Sequence, residues 1–567
     1  MKLLNPALIL LALISLPLQA QKGVRVIYRT IINGTEVRGG GRLMIRTDGK
    51  SVVINTLLVE QARPEMPSPS QHAYIDLAGK KYIQLADIPD GNRYGTVTPF
   101  SSLPTPEERG DTEMIAGYRC RMARVVYFSN TIDIWYTTEA GVAGTPLPAY
   151  GVPDGLVLRV VRNGNHVTEA ERVEVIRGRE ALVTLPEDTG TTVDRMTFEH
   201  LLREAFVTAV TVFDNDVINW EGEVVNPSFG YPDTLYRFAG GTVILKKVTL
   251  PVVHDSYSLF AEVTEYSAGD AYDRTGTVFV VPQGDPLTFL DGLTKGQAEL
   301  PLYTDRHGKE YRGVAATDQY SPPVELVRFF TPFGVREFNA KRTVPGLVWN
   351  DSAYYKQDIT HYLPLLRGEV WIGAFIGNYD RGGHRISLRL KYYPETRVLE
   401  PEPSDGKWIK PVFNTLPIME MAGQQYGTMF DGDTLSVSVD IPEGLSSLRM
   451  VFITTGHGGW GGGDEFNQKM NVLLVDGRKI WSYIPWRSDC GTYRNFNPAS
   501  GNFWNGLSSS DYSRSGWCPG SVSEPLIIPL EGLQPGRHTF SVTVPMGKPE
   551  GSSFSHWNIS GVLVGIK

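Results

Sequence analysis

The sequence predicts an all-β protein with two β-sandwiches in its second half, and three observations favour this fold class. Aromatic residues make up 11% of the 567 residues and glycine is abundant, whereas charged residues are only 20%, which is typical of sandwiches with long loops. Apolar and polar residues alternate over Arg385–Tyr392 and Leu435–Ile441, so each segment is expected to be a strand with one buried face. One segment alone, around 194–209, has the spacing of an amphipathic helix.

Length and charge limit the class of protein further. A chain of 567 residues exceeds what one hydrophobic core usually holds, so about three domains are expected. The net charge is −8, and no run of Lys or Arg exceeds two residues. Since a nucleic-acid-binding protein needs a basic surface, we expect no nucleic-acid partner.

The N-terminus has the pattern of a secretory signal. Lys2 precedes an apolar segment, Ala7–Leu16, and the small residue Ala20 offers a cleavage position. The apolar segment is too short to span a bilayer and no cysteine follows it, so neither a membrane anchor nor a lipid anchor is expected. The sequence therefore predicts a signal peptide at 1–20 and a soluble protein exported to the periplasm or the medium.

Export makes the three cysteines informative, because disulfides persist in an oxidising compartment. Cys490 and Cys518 flank one loop-rich region, and Cys120 is far from them in sequence. We therefore predict a Cys490–Cys518 disulfide, which would stabilise the fold by about 3–4 kcal/mol on a chain-entropy argument. Cys120 is then expected to be free and buried.

The chain begins as antiparallel sheet, and we assign residues 21–190 to an N-terminal β domain. Strand-like runs at Val24–Thr30 and Gly41–Arg46 are separated by the turn pair Asn33-Gly34. Such pairs close hairpins, so neighbouring strands should be antiparallel.

Later segments of this domain carry a family resemblance. Strand-like runs at Ile115–Cys120 and Ile134–Thr137 lead to the motif Gly151–Val157. This series resembles the GLPGLI family of exported β-proteins over residues 22–187. The resemblance implies a mainly antiparallel β fold for the domain and does not assign it an activity.

A linking helix is predicted at 191–210, with Asp194 as its N-cap. Its polar face is not basic, so a spacer between domains is favoured over a helix that binds a membrane surface or a partner. The apolar face comprises Phe198, Leu201, Leu202, Ala205, Phe206 and Ala209.

Strand patterns resume after the helix and continue to the C-terminus. Prolines cluster within Leu399–Pro403 and recur at Pro411, which marks a boundary. The two sandwiches are therefore assigned to residues 211–397 and 398–567.

The most distinctive stretch is Ile453–Asn467, a glycine-rich loop that carries Trp460 and Glu465. Glycine lets the backbone approach a ligand closely, while an indole and a carboxylate can stack on a sugar and bind its hydroxyls. The segment Ser513–Gly520 would lie beside this loop because of the predicted disulfide. The alternative interpretation is an ordinary glycine-rich surface loop.

Several motifs of the second half resemble the peptide-N-glycosidase F family, bacterial enzymes that hydrolyse the amide between asparagine and the first GlcNAc of an N-glycan. The similarity runs from about Val212 to the C-terminus. The motifs occur in the same order as in the family: Tyr272-Asp273-Arg274, Arg328–Phe333, Gly456-His457, Glu465 and Ser513–Gly520.

This resemblance implies a fold and an activity. The fold would be two antiparallel jelly-roll sandwiches side by side, with the active site in the cleft between them. The activity would be that of a peptide-N4-(N-acetyl-β-glucosaminyl)asparagine amidase, which releases the whole glycan and leaves aspartate. The implied partners are N-linked glycopeptides and glycoproteins, and we expect a monomer.

The resemblance also implies site residues. Asp273 matches the carboxylate that activates the attacking water, and Glu465 matches a glutamate that orders the water and the first sugar. Arg274 would hold Asp273 ionised and could donate to the substrate carbonyl. Arg514 matches a second site arginine, and Trp517 offers a stacking face for GlcNAc. The remaining substrate-binding candidates are Tyr272, Gly456, His457, Trp460, Phe375 and Gly377.

The chain departs from the family prototype at one wall of the site. Phe375 and Gly377 align with a third glutamate and a tryptophan that close around the first GlcNAc, where an α1,3-linked fucose blocks cleavage in the prototype. Either Asn378 or Asp380 replaces that glutamate, or the wall is rebuilt. A rebuilt wall would be roomier and more apolar, and would accept core α1,3-fucose.

No metal or organic cofactor is expected, since His457, Asp464 and Glu465 do not have the spacing of a known ligand motif. Two alternative functions stay open. A glycoside hydrolase could use Asp273 and Glu465 as its carboxylate pair. A non-catalytic glycan-binding protein could use the same aromatic loops.

Overall fold

The computed structural model describes residues 22–37, 42–57, 69–253, 257–394, 406–458, 462–547 and 554–567, which contain 32 β-strands and two α-helices. These residues fall into two compact units, which meet in sequence at Phe206 and Val207. None of the helices in the described ranges is long and apolar enough to cross a membrane.

The first unit is built on one sheet, whose neighbouring strands are antiparallel except at one edge, where β13 runs parallel to β7. The predicted strand Val24–Thr30 lies within β1, and Cys120 is buried in the core of this unit, as expected. The strands are β1 Lys22–Ile32, β2 Thr35–Glu36, β3 Arg42–Thr47, β4 Ser51–Leu57, β5 Ser70–Asp76, β6 Lys81–Asp87, β7 Arg93–Pro99, β8 Glu107–Ile115, β9 Tyr118–Tyr127, β10 Asn130–Thr137, β11 Leu156–Arg162, β12 His166–Arg177 and β13 Thr191–Thr192.

Helix α1, Arg195–Ala205, closes the first unit and is shorter than the sequence predicts. The Asp194 side chain caps it by accepting a hydrogen bond from the Thr197 backbone N–H. Phe198 is buried, but Phe206 is 39% exposed and Ala209 belongs to the following strand. The helix ends early because a run rich in β-branched residues follows it and gains backbone hydrogen bonds in a sheet.

The second unit begins with a jelly roll of two antiparallel sheets, ordered β14-β24-β17-β22 and β15-β16-β23-β18-β21. Its elements are β14 Thr208–Ile218, β15 Tyr236–Phe238, β16 Val243–Leu250, β17 Ser258–Ser267, β18 Thr275–Val281, α2 Phe289–Lys295, β19 Leu302–Thr304, β20 Glu310–Arg312, β21 Val324–Phe330, β22 Ala353–Asp358, β23 Gly368–Ile376 and β24 His384–Tyr393. The sequence did not predict α2, because a helix of seven residues is too short to show a period.

A second jelly roll follows, with sheets ordered β25-β32-β27-β30 and β26-β31-β28-β29. The all-β class and the jelly-roll sandwiches are thus confirmed. Its strands are β25 Lys407–Asn414, β26 Leu435–Ile441, β27 Ser447–His457, β28 Asn471–Val475, β29 Arg478–Tyr483, β30 Leu526–Pro529, β31 Gly536–Thr543 and β32 His556–Ile566.

The alternating segments behave as predicted. In β24 the residues Ile386, Leu388 and Leu390 are buried, and their neighbours along the strand are more exposed. The apolar residues of β26 are likewise buried against the core of the second jelly roll. The predicted Cys490–Cys518 disulfide is also present, with the two Cα atoms 5.1 Å apart.

A buried arginine joins the two jelly rolls. Arg328 on β21 forms a bidentate ion pair with Glu325 on the same strand, and its Nε lies 2.9 Å from Glu325 Oε2. Its Nη1 donates across to the second jelly roll, to the carbonyl of Asn558 at 2.6 Å and to the hydroxyl of Thr455 at 3.3 Å. The guanidinium therefore fixes β21 against β27 and β32.

We expect Arg328→Met to destabilise this unit by about 3–5 kcal/mol, because it leaves the Glu325 carboxylate buried without its cation. The midpoint of urea unfolding measures the effect. The double variant Arg328→Met/Glu325→Leu is the matched control and should recover most of the loss. A double variant as unstable as the single one would contradict the assignment of the cost to the unpaired charge.

Candidate functional site

Asp273 lies on the loop between β17 and β18, and hydrogen bonds shape this loop at both ends. The Tyr272 backbone N–H donates to the Asp270 carboxylate at 3.0 Å. The Arg274 backbone N–H donates to the Thr331 hydroxyl at 2.8 Å. The loop conformation therefore depends on side chains that are themselves fixed, which gives Asp273 a defined position.

Behind this loop runs a chain of alternating charges. Arg274 makes a bidentate pair with Asp270 at 2.7 and 3.2 Å. Asp270 in turn lies 3.6 Å from Nε2 of His384, whose Nδ1 lies 2.7 Å from the Glu265 carboxylate. Arg274 thus forms its ion pair with Asp270 through Nε and Nη2, while its charge, as expected, favours the ionised form of Asp273.

The buried chain favours the charged forms of His384, Asp270 and Arg274, whereas burial raises the pKa of Glu265. Although burial lowers the pKa of His384, the carboxylates of Asp270 and Glu265 raise it to about 9. Burial likewise raises the pKa of Asp270, yet His384 and Arg274 hold it well below its usual value. His384 is thus an imidazolium at neutral pH and stabilises the base of the loop.

Glu465 approaches from the second jelly roll, on the loop after β27. Its neighbour Asp464 anchors this loop: the Asp464 carboxylate accepts from the Trp557 indole N–H at 2.7 Å and from the Gly547 backbone N–H at 2.8 Å. Asp464 is fully buried, whereas Glu465 faces the site. Asp464 therefore has a structural role in this loop.

Arg514 connects the two carboxylates. Its Nη1 lies 3.1 Å from Asp273 Oδ2 and also contacts Glu465 Oε1, while its Nη2 donates to the Ser509 carbonyl at 2.9 Å. Burial raises the pKa of Glu465 to about 7; the Arg514 charge opposes this effect, and the Asp273 charge adds to it. Burial also raises the pKa of Asp273, with Arg514 and Arg274 opposing.

Trp517 does not offer the open stacking face that the resemblance implies. Its ring is 4% exposed, with the Phe330 ring stacked 4.3 Å away and the Arg514 guanidinium 4.3 Å from its centre. Its indole N–H donates to the Gly456 carbonyl at 3.0 Å. The neighbours of Trp517 therefore occupy the space that a stacked sugar would need. Its role is to pack against the Arg514 guanidinium.

The other predicted binding residues have different positions. A Cβ at Gly456 would stand 2.8 Å from the Trp557 ring, so this glycine makes room for packing. His457 lines the site, and burial holds its pKa well below its usual value. Tyr272 is 62% exposed, with the Arg274 guanidinium 5.1 Å from its ring centre. Trp460 lies outside the described residues.

These elements enclose a cavity of about 220 Å³, lined by residues of both jelly rolls. The predicted site residues that line it are Asp273, Arg274, Phe375, Gly377, His457, Glu465 and Trp517. Arg514 is almost fully buried and contacts the two carboxylates, and Tyr272 and Gly456 adjoin lining residues without lining the cavity themselves.

Sequence reasoning missed six polar residues of the lining: Thr275, Tyr379, Glu420, Tyr426, His556 and Asn558. None of them belongs to a motif with its own chemistry, and the fold alone brings them together. Within the described residues, four buried polar atoms of the lining accept or donate no hydrogen bond. They are Asp273 Oδ2, Glu420 Oε1, His556 Nδ1 and Asn558 Oδ1.

The rebuilt wall is not as apolar as predicted. Phe375 is buried in β23 and Gly377 lines the cavity, but the Glu420 carboxylate lies against Gly377. The wall therefore carries a charged group from the other jelly roll. Asn378 and Asp380 do not replace the glutamate, because Asn378 is buried beside the Ile376 carbonyl and Asp380 accepts from the backbone of the next turn.

Among the described residues, no three His, Cys, Asp or Glu side chains are grouped so that they could hold a metal ion. The carboxylates of the cavity are acceptors and are suited to a ligand that carries several hydrogen-bond donors. Two carboxylates beside a guanidinium can also bind and polarise a water molecule.

Comparison with known proteins gives consistent matches along the chain. Family models described as "Peptide-N-glycosidase F, N terminal" and "Peptide-N-glycosidase F, C terminal" match residues 209–392 and 425–564. A third model, "N-glycanase peptide, N-terminal domain", matches residues 26–200. No curated protein matches the chain.

Solved structures match as well. The chain is 39% identical to PNGF-II in one crystal form, with a TM-score of 0.79 and coverage of 96% of this chain and 99% of that one. A second crystal form of PNGF-II gives 38% identity, a TM-score of 0.74, and coverage of 96% and 98%. PNGase F, described as a glycosylasparaginase from Flavobacterium meningosepticum, is 15% identical over 64% of this chain and 96% of its own, with a TM-score of 0.41.

We expect His384→Gln to destabilise the protein by up to about 3 kcal/mol at pH 6, from the shift in its pKa. Because the folded-state pKa is raised from 6.5 to about 9, the contribution is fully present below pH 6.5 and is lost as pH rises through 9. Urea unfolding at pH 6 and pH 10 measures the difference. His200→Gln on the exposed side of α1 is the control, and a pH-independent loss in the His384 variant would contradict the imidazolium role.

Proposed function

The chain belongs to the peptide-N-glycosidase F family, and on that premise we propose that it hydrolyses the β-aspartylglucosamine bond of N-glycopeptides and N-glycoproteins. The proposed amidase releases the whole N-glycan and leaves aspartate in the peptide. Export to the periplasm or the medium is part of the proposal, supported by the Cys490–Cys518 disulfide, which suits an oxidising compartment.

One observation carries the proposal. Asp273 from the first jelly roll and Glu465 from the second contact the same guanidinium nitrogen of Arg514, in a cavity lined by both rolls. Hydrolysis of an amide requires a bound water, a base that takes its proton and a positive charge near the developing oxyanion. This arrangement supplies a carboxylate base and a buried positive charge in one place.

The proposed reaction proceeds by attack of water on the side-chain carbonyl carbon of the substrate asparagine. Asp273 takes the proton as the water oxygen bonds to that carbon, and negative charge develops on the carbonyl oxygen. The C–N bond then breaks, and the same proton is available to the departing nitrogen of the glycosylamine. Arg514 stabilises the negative charge, and any donation from Arg274 comes from Nη1 or from the second N–H of Nη2, since Asp270 takes Nε–H and the first.

Glu465 would complete the site from the opposite side. Since its pKa is raised to about 7, it can be protonated or ionised near neutral pH and can donate to or accept from the water. Arg514 keeps it within reach of Asp273, so one water can contact both carboxylates.

The proposal also includes acceptance of core α1,3-fucose on the first GlcNAc. Position 377 has no side chain, and Glu420 presents a carboxylate beside it instead of an indole. A fucose on that side would find room beside Gly377, and its hydroxyls could donate to the Glu420 carboxylate.

We expect Asp273→Asn to lower kcat by at least about 100-fold, because an amide of the same shape cannot take the proton of water. Mass spectrometry of the peptide product measures the reaction, since conversion of asparagine to aspartate adds about 1 Da by atom counting. A residual sugar on the peptide would indicate a glycoside hydrolase, and an unchanged glycopeptide would indicate a binding protein. Asp214→Asn, at an exposed position, is the control; activity of Asp273→Asn within a few-fold of wild type would remove Asp273 from the mechanism.

The fucose proposal predicts similar release rates, within about tenfold, for matched glycopeptides with and without core α1,3-fucose. The two substrates share one peptide and one glycan, so that the fucose is the single difference. Chromatography of the released glycans over time measures both rates. Release from the plain substrate with none from the fucosylated one would refute fucose acceptance and leave the amidase proposal intact.

A further inference from the structure

Glu420 reaches the site from the second jelly roll, on the turn that follows β25, but its carboxylate lies on the wall built by the first. Its Oε1 is 2.7 Å from the position that a Cβ would take at Gly377, and the Phe375 ring is 3.2 Å from the same position. A side chain at position 377 would therefore displace the carboxylate. Because Gly377 has no side chain, Glu420 can enter the cavity that holds Asp273 and Glu465.

Two tyrosines orient the Glu420 side chain. The Tyr426 hydroxyl donates to Oε2 at 2.9 Å, and the hydroxyls of Tyr426 and Tyr379 lie 2.7 Å apart. The Arg274 guanidinium lies 5.4 Å from the centre of the Tyr379 ring. One carboxylate oxygen is thus held in place, while Oε1 has no donor among the described residues.

Oε1 is a buried acceptor that no group in the described part of the protein satisfies, and native structures contain few such groups. Burial raises the pKa of Glu420 to about 7, although Tyr426 and the Arg274 charge oppose this effect. Glu420 Oε1 shares its cavity with three other polar atoms that make no hydrogen bond within the described ranges, on Asp273, His556 and Asn558, and only the Asp273 oxygen has an ion-pair partner, Arg514 Nη1 at 3.1 Å. Their common location indicates a ligand that supplies the missing partners.

We propose that Glu420 is a third carboxylate of this site, whose Oε1 accepts a hydrogen bond from a hydroxyl or the acetamido N–H of the first GlcNAc. The inference rests on the proposed function, because it names what the same cavity recognises. Phe375, where the family resemblance places a carboxylate, carries no acceptor. Glu420 supplies that acceptor from a different part of the chain, with Tyr426 and Tyr379 as positioning residues.

Two variants remove this contact by different routes. Glu420→Gln keeps the shape and removes the charge, whereas Gly377→Ala keeps Glu420 and pushes its carboxylate away through the added methyl group. Gly377 has no left-handed backbone conformation, so alanine is compatible with its backbone. We expect each variant to lower kcat/KM on a GlcNAc-asparagine peptide by about tenfold or more, the usual loss for a hydrogen bond to a charged group.

The double variant and the melting temperature separate binding from structure. Both changes remove the same contact. The kcat/KM of Glu420→Gln/Gly377→Ala should therefore lie within about threefold of that of the less active single variant. Glu420→Gln should melt at or above the temperature of the wild type, since it replaces a buried carboxylate whose Oε1 has no donor in the described structure by a neutral amide. A merely structural Glu420 would instead give a lower melting temperature and unchanged kinetics.

Glu443→Gln, in an exposed turn of the same jelly roll, is the matched control. The inference is overturned if the wild type releases glycan and Glu420→Gln retains kcat/KM within about threefold. If the wild type releases no glycan, the proposed function fails, and Glu420 is then tested by calorimetric titration with N,N′-diacetylchitobiose. Equal affinity of the wild type and Glu420→Gln for that disaccharide would overturn the inference as well, and a weaker variant would support it.

Discussion

Arg514 has to neutralise two carboxylates at once, because Asp273 and Glu465 approach the same nitrogen from different jelly rolls. Buried charges are tolerated only when they are paired and hydrogen-bonded, so neither acid can keep its position without the guanidinium. Aromatic rings support the guanidinium in turn, with Phe466 and Trp517 at 5.1 and 4.3 Å from it. Arg514 therefore sets the distance between Asp273 and Glu465. The two jelly rolls must pack so that this side chain stays buried.

The polar groups around this centre differ in how well they are satisfied. Behind it, the chain from Glu265 through His384 and Asp270 to Arg274 pairs every charge with an opposite one. In front of it, four buried polar atoms of the cavity lining make no hydrogen bond within the described residues. Ion pairs thus fix the loop that carries Asp273, while polar groups that a ligand can satisfy face the cavity.

Much of the fold follows from local patterns in the sequence. The period-two alternation in β24 and β26 and the cysteine pair are all present as predicted, because each depends on a few neighbouring residues. The end of α1 was misjudged, since Ala209 fits a helical face equally well until its strand partner on β24 is known. Helix α2 was missed because seven residues carry too little periodic signal.

The site was predicted unevenly for a similar reason. Asp273, Glu465 and Arg514 belong to motifs, so their sequence context makes them candidates, and the structure brings the three together. The partner of Arg274 did not follow from order in the chain: Asp270 pairs with it because the loop turns back on itself. Glu420 lies far in sequence from the wall that it completes, and only the packing of two jelly rolls brings it to Gly377.

Cys120 has a practical consequence for measurements on this protein. The chain has three cysteines, and two of them form the disulfide of the second unit. Cys120 is the remaining thiol; it is buried in the first unit, and burial raises its pKa to about 11, so it is protonated and shielded at neutral pH. A thiol reagent added without reductant will react at this one position, and at a rate set by how often the first unit opens. The natural sequence thus contains a reporter for the unit that lacks the site, and it records local opening there without interference from the unit that carries the chemistry.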